Sequence, residues 1–111
     1  MMRRIPGLKA AVRRAGKVQR RFRHAAIALR GGRVMAYAVN SRLHAEVAAL
    51  DLAEKMASGE CVDTVVSIRI GPDGELKLAK PCFACHETLR FAGVETVVYS
   101  TATGEFDSED L

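Results

Sequence analysis

Two short segments hold side chains that could do chemistry together: His44-Ala45-Glu46 and Pro81-Cys82-Phe83-Ala84-Cys85. Cysteines three residues apart share one face of a helix, so both sulfurs can reach a single ion. The start of a helix favours the anionic thiolate, which is the form in which sulfur binds metal. His44 can add an imidazole, and one imidazole with two thiolates suits zinc. Three protein ligands leave the fourth tetrahedral position to water. Glu46 stands two residues from His44, beside that ligand rather than duplicating it, where a carboxylate can move protons.

The flanking sequence must supply elements that bring these segments together. Leu8, Ala11, Val12, Ala15 and Phe22 keep helical spacing, with one lapse at Gln19, and predict a basic N-terminal helix within residues 1–24. Ala25–Leu29 and Val34–Val39 flank Arg30-Gly31-Gly32-Arg33, which reads as a β-hairpin because a Gly-Gly pair permits positive φ at both turn centres. Asn40-Ser41 then offers a cap for a helix from Leu43 to Ala57, closed by Gly59 and carrying His44 and Glu46 in its first turn. Ala45, Val47, Ala48, Ala49, Leu50, Leu52 and Met56 make most of its circumference apolar, so it is expected at the centre of the fold. Thr64–Ile70 has strand alternation, and Gly-Pro-Asp-Gly at 71–74 makes a turn. Pro81 precedes a second helix, Cys82 to Phe91, ended by Gly93, and Val94–Tyr99 is the last strand. The acidic stretch from Gly104 to Leu111, within a tail of residues 101–111, is expected to be solvated or mobile. The order α-β-β-α-β-α-β predicts a single layered α/β domain over residues 1–111.

At 111 residues, 49% hydrophobic and 27% charged, the chain can bury one core, and with 5% aromatics aliphatic side chains must fill it. No apolar stretch approaches the roughly 20 residues of a transmembrane helix, so no membrane partner is expected. The same totals exclude collagen, coiled-coil and disulfide-rich classes. Three cysteines form an odd set, which suits a reducing compartment. Arg13, Arg14, Lys17, Arg20 and Arg21 interrupt every candidate signal-peptide core. The cytoplasm is therefore the expected location, ahead of an organelle reached by an Arg-rich transit peptide. Charge is strongly segregated. Residues 1–45 carry twelve Lys or Arg and no acid, whereas residues 46–111 carry five bases and all thirteen acids. The two parts stand at +12 and −8. The basic part could be a solvated face, a phosphate-capturing surface, or a dock for the acidic part of a neighbouring copy.

His44-Ala45-Glu46 together with Lys80-Pro81-Cys82-Phe83-Ala84-Cys85 resembles the cytidine and deoxycytidylate deaminase superfamily, whose signature is H-x-E…P-C-x-x-C. Within it, the resemblance is to the branch whose first ligand is His. Element order agrees over roughly residues 8–100. The resemblance implies a three-layer α/β/α fold with a mixed sheet of about four strands behind an N-terminal helix. It implies Zn2+ held by His44, Cys82 and Cys85, with Glu46 carrying protons to the ring nitrogen and then to the departing amine. Ala45 and Pro81 would line the substrate, and Asn40 would either contact it or cap the helix. The substrate implied is the cytosine of a nucleotide or nucleoside, deoxycytidylate first, hydrolysed at C4 with release of ammonia and no organic cofactor. Alternatives are a base in single-stranded DNA or tRNA, captured by the basic segment, and a catalytically inactive zinc-stabilised nucleic-acid-binding module. Members of this branch continue past the last strand with another helix and strand. Their absence here predicts a homo-oligomer, in which a neighbour supplies the missing pocket wall.

Other readings of the cysteines explain less. Cys82 to His86 also fits the C-x-x-C-H haem attachment pattern, but that leaves His44 and Glu46 unused and requires export. A thioredoxin-like redox pair would follow the first strand of its fold. A purely structural zinc would need a fourth ligand from Cys61 or His86. Cys61, beyond the far end of the first helix of the pair, reads better as a buried thiol, and His86 as a helix-surface or pocket-rim residue. His24 reads as a helix-end residue.

Overall fold

A computed structural model of the chain describes residues 5–15, 23–39, 49 and 62–111. Helix α1 spans Leu8–Ala15; strands β1 (Arg23–Arg30) and β2 (Arg33–Val39) follow, then β3 (Thr64–Ile70) and β4 (Leu76–Lys77). Helix α2 (Phe83–Phe91), β5 (Thr96–Ser100) and β6 (Phe106–Asp110) complete the order. The six strands of the described residues form one mixed sheet, ordered β2-β1-β3-β5-β6, with β4 paired to β3.

The β1–β2 hairpin forms where Gly31 and Gly32 were expected to turn the chain. Both have positive φ, 55° and 78°, which a residue with a Cβ adopts only with strain. The strands β3 and β5 are parallel, pairing Thr64 with Thr96 through Ser67 with Tyr99. Parallel neighbours need a crossover, and α2 provides it. At the sheet end where β3 and β5 begin, Asp63 joins three segments. Its amide donates to the Leu29 carbonyl, its carbonyl accepts from Glu95 and Thr96, and its carboxylate accepts from the Gly31 amide at 2.8 Å.

Alternation along the strands gives the sheet two apolar faces. Ala25, Ile27, Leu29, Val66, Ile68, Ile70 and Val98 pack with Ile5, Ala11 and Ala15 beneath α1. On the other face Ala26, Ala28, Ala36, Val65, Val97 and Tyr99 pack with Leu89 of α2 and with helical Ala49. Helix lies on sheet on helix, as the three-layer reading requires. The second face is rich in alanine. Among the described residues no helix is long and apolar enough to cross a membrane.

Three expectations are corrected. The sheet has more strands than the expected four or so, because β4 and β6 join it. The strand β4 is formed when the Gly71–Gly74 turn folds the chain back, pairing Leu76 with Ile70 and Lys77 with Arg69. Asp73 stabilises this return by accepting from the Glu75 amide and by pairing with Lys77, and both contacts hold its carboxyl below the usual carboxylate range. The acidic tail holds a paired strand, although most of its side chains remain exposed to solvent as expected. β6 pairs antiparallel with β5 from Ser100–Phe106 to Thr96–Asp110, and Phe106 packs against the core. Finally, the helical pattern does not extend to residue 24. Arg23 and His24 belong to β1, opposite Ile70 and Arg69, since continuing a ladder with β3 satisfies their backbone groups.

Candidate functional site

The site is built from the start of α2. Proline supports a helix start because it lacks a donor that would go unpaired there, and Pro81 is buried just before it. Cys82 is the N-cap, with extended backbone (φ −66°, ψ 165°), and its carbonyl accepts the His86 amide at 2.9 Å. Its side chain makes no capping hydrogen bond. Serine, threonine or aspartate would serve that position better, so the thiol at 82 is explained by something other than helix stability. Cys85 lies one turn further along and is buried, on the same inward face as Leu89, whose side chain is fully buried in the core. Leu89 thus holds Cys85 against the sheet, while Cys82 faces solvent. His86 is half-buried, in keeping with a rim position.

The segment leading into Cys82 is held by a residue that sequence reasoning missed. Ser100, at the end of β5, is fully buried. Its Oγ donates to the Lys77 carbonyl at 2.8 Å and accepts the Arg69 amide at 3.2 Å, and its carbonyl accepts the Ala79 amide at 2.9 Å. Here β3 parts from β5 to take β4 as a neighbour, and the hydroxyl bridges the gap. Lys80, next in line, pairs with Glu109 of β6 at 3.5 Å, so the reassigned tail also adjoins this segment. Replacing Ser100 by Ala leaves a part-buried carbonyl and a part-buried amide without that partner. Denaturant unfolding should then show a loss of about 1–3 kcal/mol. A loss below about 0.5 kcal/mol would mean that the hydroxyl holds nothing.

A second polar pair lies on the same sheet face as α2. His24 Nε2 and Ser67 Oγ are 2.8 Å apart, and Ser67 is fully buried between Ala26 and Tyr99. His24 is therefore a strand residue with a buried partner rather than a helix end. Arg23 stands opposite Ile70 and Lys77 opposite Arg69, so cationic residues gather where β3 ends. Ligand sites in open α/β sheets lie at the carboxyl ends of parallel strands, and the Ala79–Ser100 hydrogen bond ties the approach to α2 to that end.

Of the residues expected to do chemistry, Pro81, Cys82 and Cys85 come together at this helix start. His44, Glu46, Asn40 and Ala45, and also Cys61, lie outside the described residues. Among the described residues no three His, Cys, Asp or Glu side chains gather as a metal cluster. The two thiols fit zinc as half of a tetrahedral set of soft donors, one sulfur held by the core and one open.

A family model described as the cytidine and deoxycytidylate deaminase zinc-binding region matches residues 6–101. No curated protein matches the chain.

Proposed function

Because this chain belongs to the cytidine and deoxycytidylate deaminase family, through its zinc-binding region, we propose that it is a zinc-dependent hydrolytic deaminase acting on the cytosine of a nucleotide or nucleoside. The observation that carries the reading is the pair Cys82 and Cys85 in the first turn of α2, inside the matched region. Cys82, Cys85 and His44 would hold the zinc, which when bound supplies Lewis-acid activation of water. Glu46 takes up a proton, delivers it to the ring nitrogen beside C4, and later protonates the leaving amine. Water thereby replaces the exocyclic amine, and the products are the uracil compound and ammonia. Pro81, Ala45 and Asn40 line the base. The twelve basic residues of positions 1–45, with Arg69 at the end of β3, favour a substrate that carries phosphate, deoxycytidylate first.

The same basic segment supports a second reading, in which the base lies in single-stranded DNA or tRNA. A third is a zinc-stabilised nucleic-acid-binding module without turnover. Ammonia release measured over free nucleosides, nucleotides and oligonucleotides separates them. The expected result is turnover of a cytosine nucleotide. Turnover of oligonucleotides alone, with affinity falling steeply as salt rises, would transfer the proposal to a polynucleotide substrate. No turnover of any of them would leave the binding module.

A further inference from the structure

Both cysteines of the candidate site ride on a stretch of chain whose two ends are fastened by one residue. From Lys77 the chain leaves β4, runs from Leu78 to Pro81 outside any helix or strand, forms α2, and returns along β5 to Ser100. Ser100 closes this circuit twice, through its Oγ to the Lys77 carbonyl at 2.8 Å and through its carbonyl to the Ala79 amide at 2.9 Å. The same Oγ accepts the Arg69 amide at 3.2 Å, which fixes the closed circuit to β3. Pairing of β3 with β5 ends at Ser67 and Tyr99, and β4 takes over at Arg69, so the hydroxyl stands where ordinary ladder bonds run out.

What the circuit fixes is the start of α2. The far end of that helix is held by Leu89 in the core and by the Gly93 and Val94 amides, which close back on Arg90 and Leu89. The near end lacks such closure, because the Cys82 side chain makes no capping bond. Ala79 and Pro81 are buried, but the Lys80–Glu109 pair lies half in water, where screening leaves it little strength. Among the described residues, Ser100 is therefore the buried polar anchor of this approach.

We propose that Ser100 is a positioning residue for the metal, presetting the spacing of the Cys82 and Cys85 sulfurs through the closed circuit without touching the ion. The inference rests on the zinc reading of the two thiols. Groups that orient metal ligands from behind commonly cost about 10–100-fold in metal affinity when removed. Ser100→Ala breaks the side-chain closure and the tie to β3 and keeps only the main-chain bond to Ala79, so the helix start can shift against the sheet. Coupling between two sites is reciprocal. Zinc must therefore tighten the clamp by the factor by which the clamp tightens zinc.

Zinc affinity of the full chain, measured by competition with a chromophoric chelator and without substrate, tests this. Ser100→Ala should bind zinc at least about tenfold more weakly than the wild type. Ile27→Val is the control, since it trims the fully buried core beneath α1 and lowers stability away from the circuit. It should bind zinc as the wild type does. Circular dichroism checks that both variants are folded during the titration. A second arm needs no variant: in the wild type, zinc should slow hydrogen exchange at the Arg69 and Ala79 amides more than at the amides of β1. Should Ser100→Ala not fold, this arm decides alone. An affinity of Ser100→Ala within about threefold of wild type, or an equal loss in Ile27→Val, overturns the proposal. So does zinc protection that is uniform over the sheet. A wild type that binds no zinc overturns the zinc reading itself, and this inference with it.

Discussion

Replacing Glu46 by Gln should abolish ammonia release while leaving zinc content and substrate binding in place. The expected loss in kcat is about 10²–10⁴-fold, the range for a positioned acid–base group. Glutamine keeps the length and the hydrogen-bonding capacity of glutamate but cannot take up or return a proton. Of all thirteen acids, Glu46 is the first in the chain and follows a run of twelve bases without a carboxylate. It stands two residues from His44, so on a helix it is offset from that ligand and does not share its direction. Metal analysis and kcat are read on the same sample. A variant within tenfold of wild type would remove Glu46 from the mechanism, and a variant that lost its metal would make Glu46 a ligand.

How far the sequence discloses the fold depends on whether a pattern is local. The β1–β2 turn is legible because Gly31-Gly32 has few uses other than a turn with positive φ. Strand β3 is legible from end to end, since Thr64–Ile70 alternates, and α2 agrees to within its N-cap. The tail misleads for a physical reason. A strand at a sheet edge is protected by charged residues, so Phe106–Asp110 looks like any acidic terminus until its neighbour is known. Its one apolar anchor, Phe106, carries no period. Strand β4, two residues long, offers no pattern at all. In the candidate site the motif residues Pro81, Cys82 and Cys85 are legible because their types and spacing carry the chemistry. Ser100 and the His24–Ser67 pair are not. Each gains its meaning from partners across the sheet, 23 to 43 positions away, and a lone serine announces none of them.

Cys82→Ser and Cys85→Ser should both lose zinc, and yet move the stability of the metal-free protein in opposite directions. A wild-type site filled at a hundred times its dissociation constant adds about 2.7 kcal/mol. In a domain near 100 residues that is a rise in Tm of roughly 10 °C or more. A chelator should remove this increment from the wild type and leave both serine variants unmoved, since a neutral hydroxyl is a poor substitute for a thiolate toward zinc. The two positions differ once the metal is gone. At the N-cap, serine can accept an amide hydrogen bond that Cys82 does not make, so metal-free Cys82→Ser should melt above the chelated wild type, by about 1 kcal/mol. At position 85 the hydroxyl enters an inward face that is 4% exposed, so metal-free Cys85→Ser should melt at or below the chelated wild type. A hydroxyl there can bond the carbonyl a turn back, as Thr88 bonds to Ala84 at 2.9 Å. Thermal melts with and without chelator, read beside zinc analysis, test all of this. Either variant retaining one zinc per chain and a chelator-sensitive Tm would exclude its cysteine as a ligand. A Cys82→Ser protein gaining stability while losing its metal would show that the helix gives up a better cap to keep a sulfur at its start.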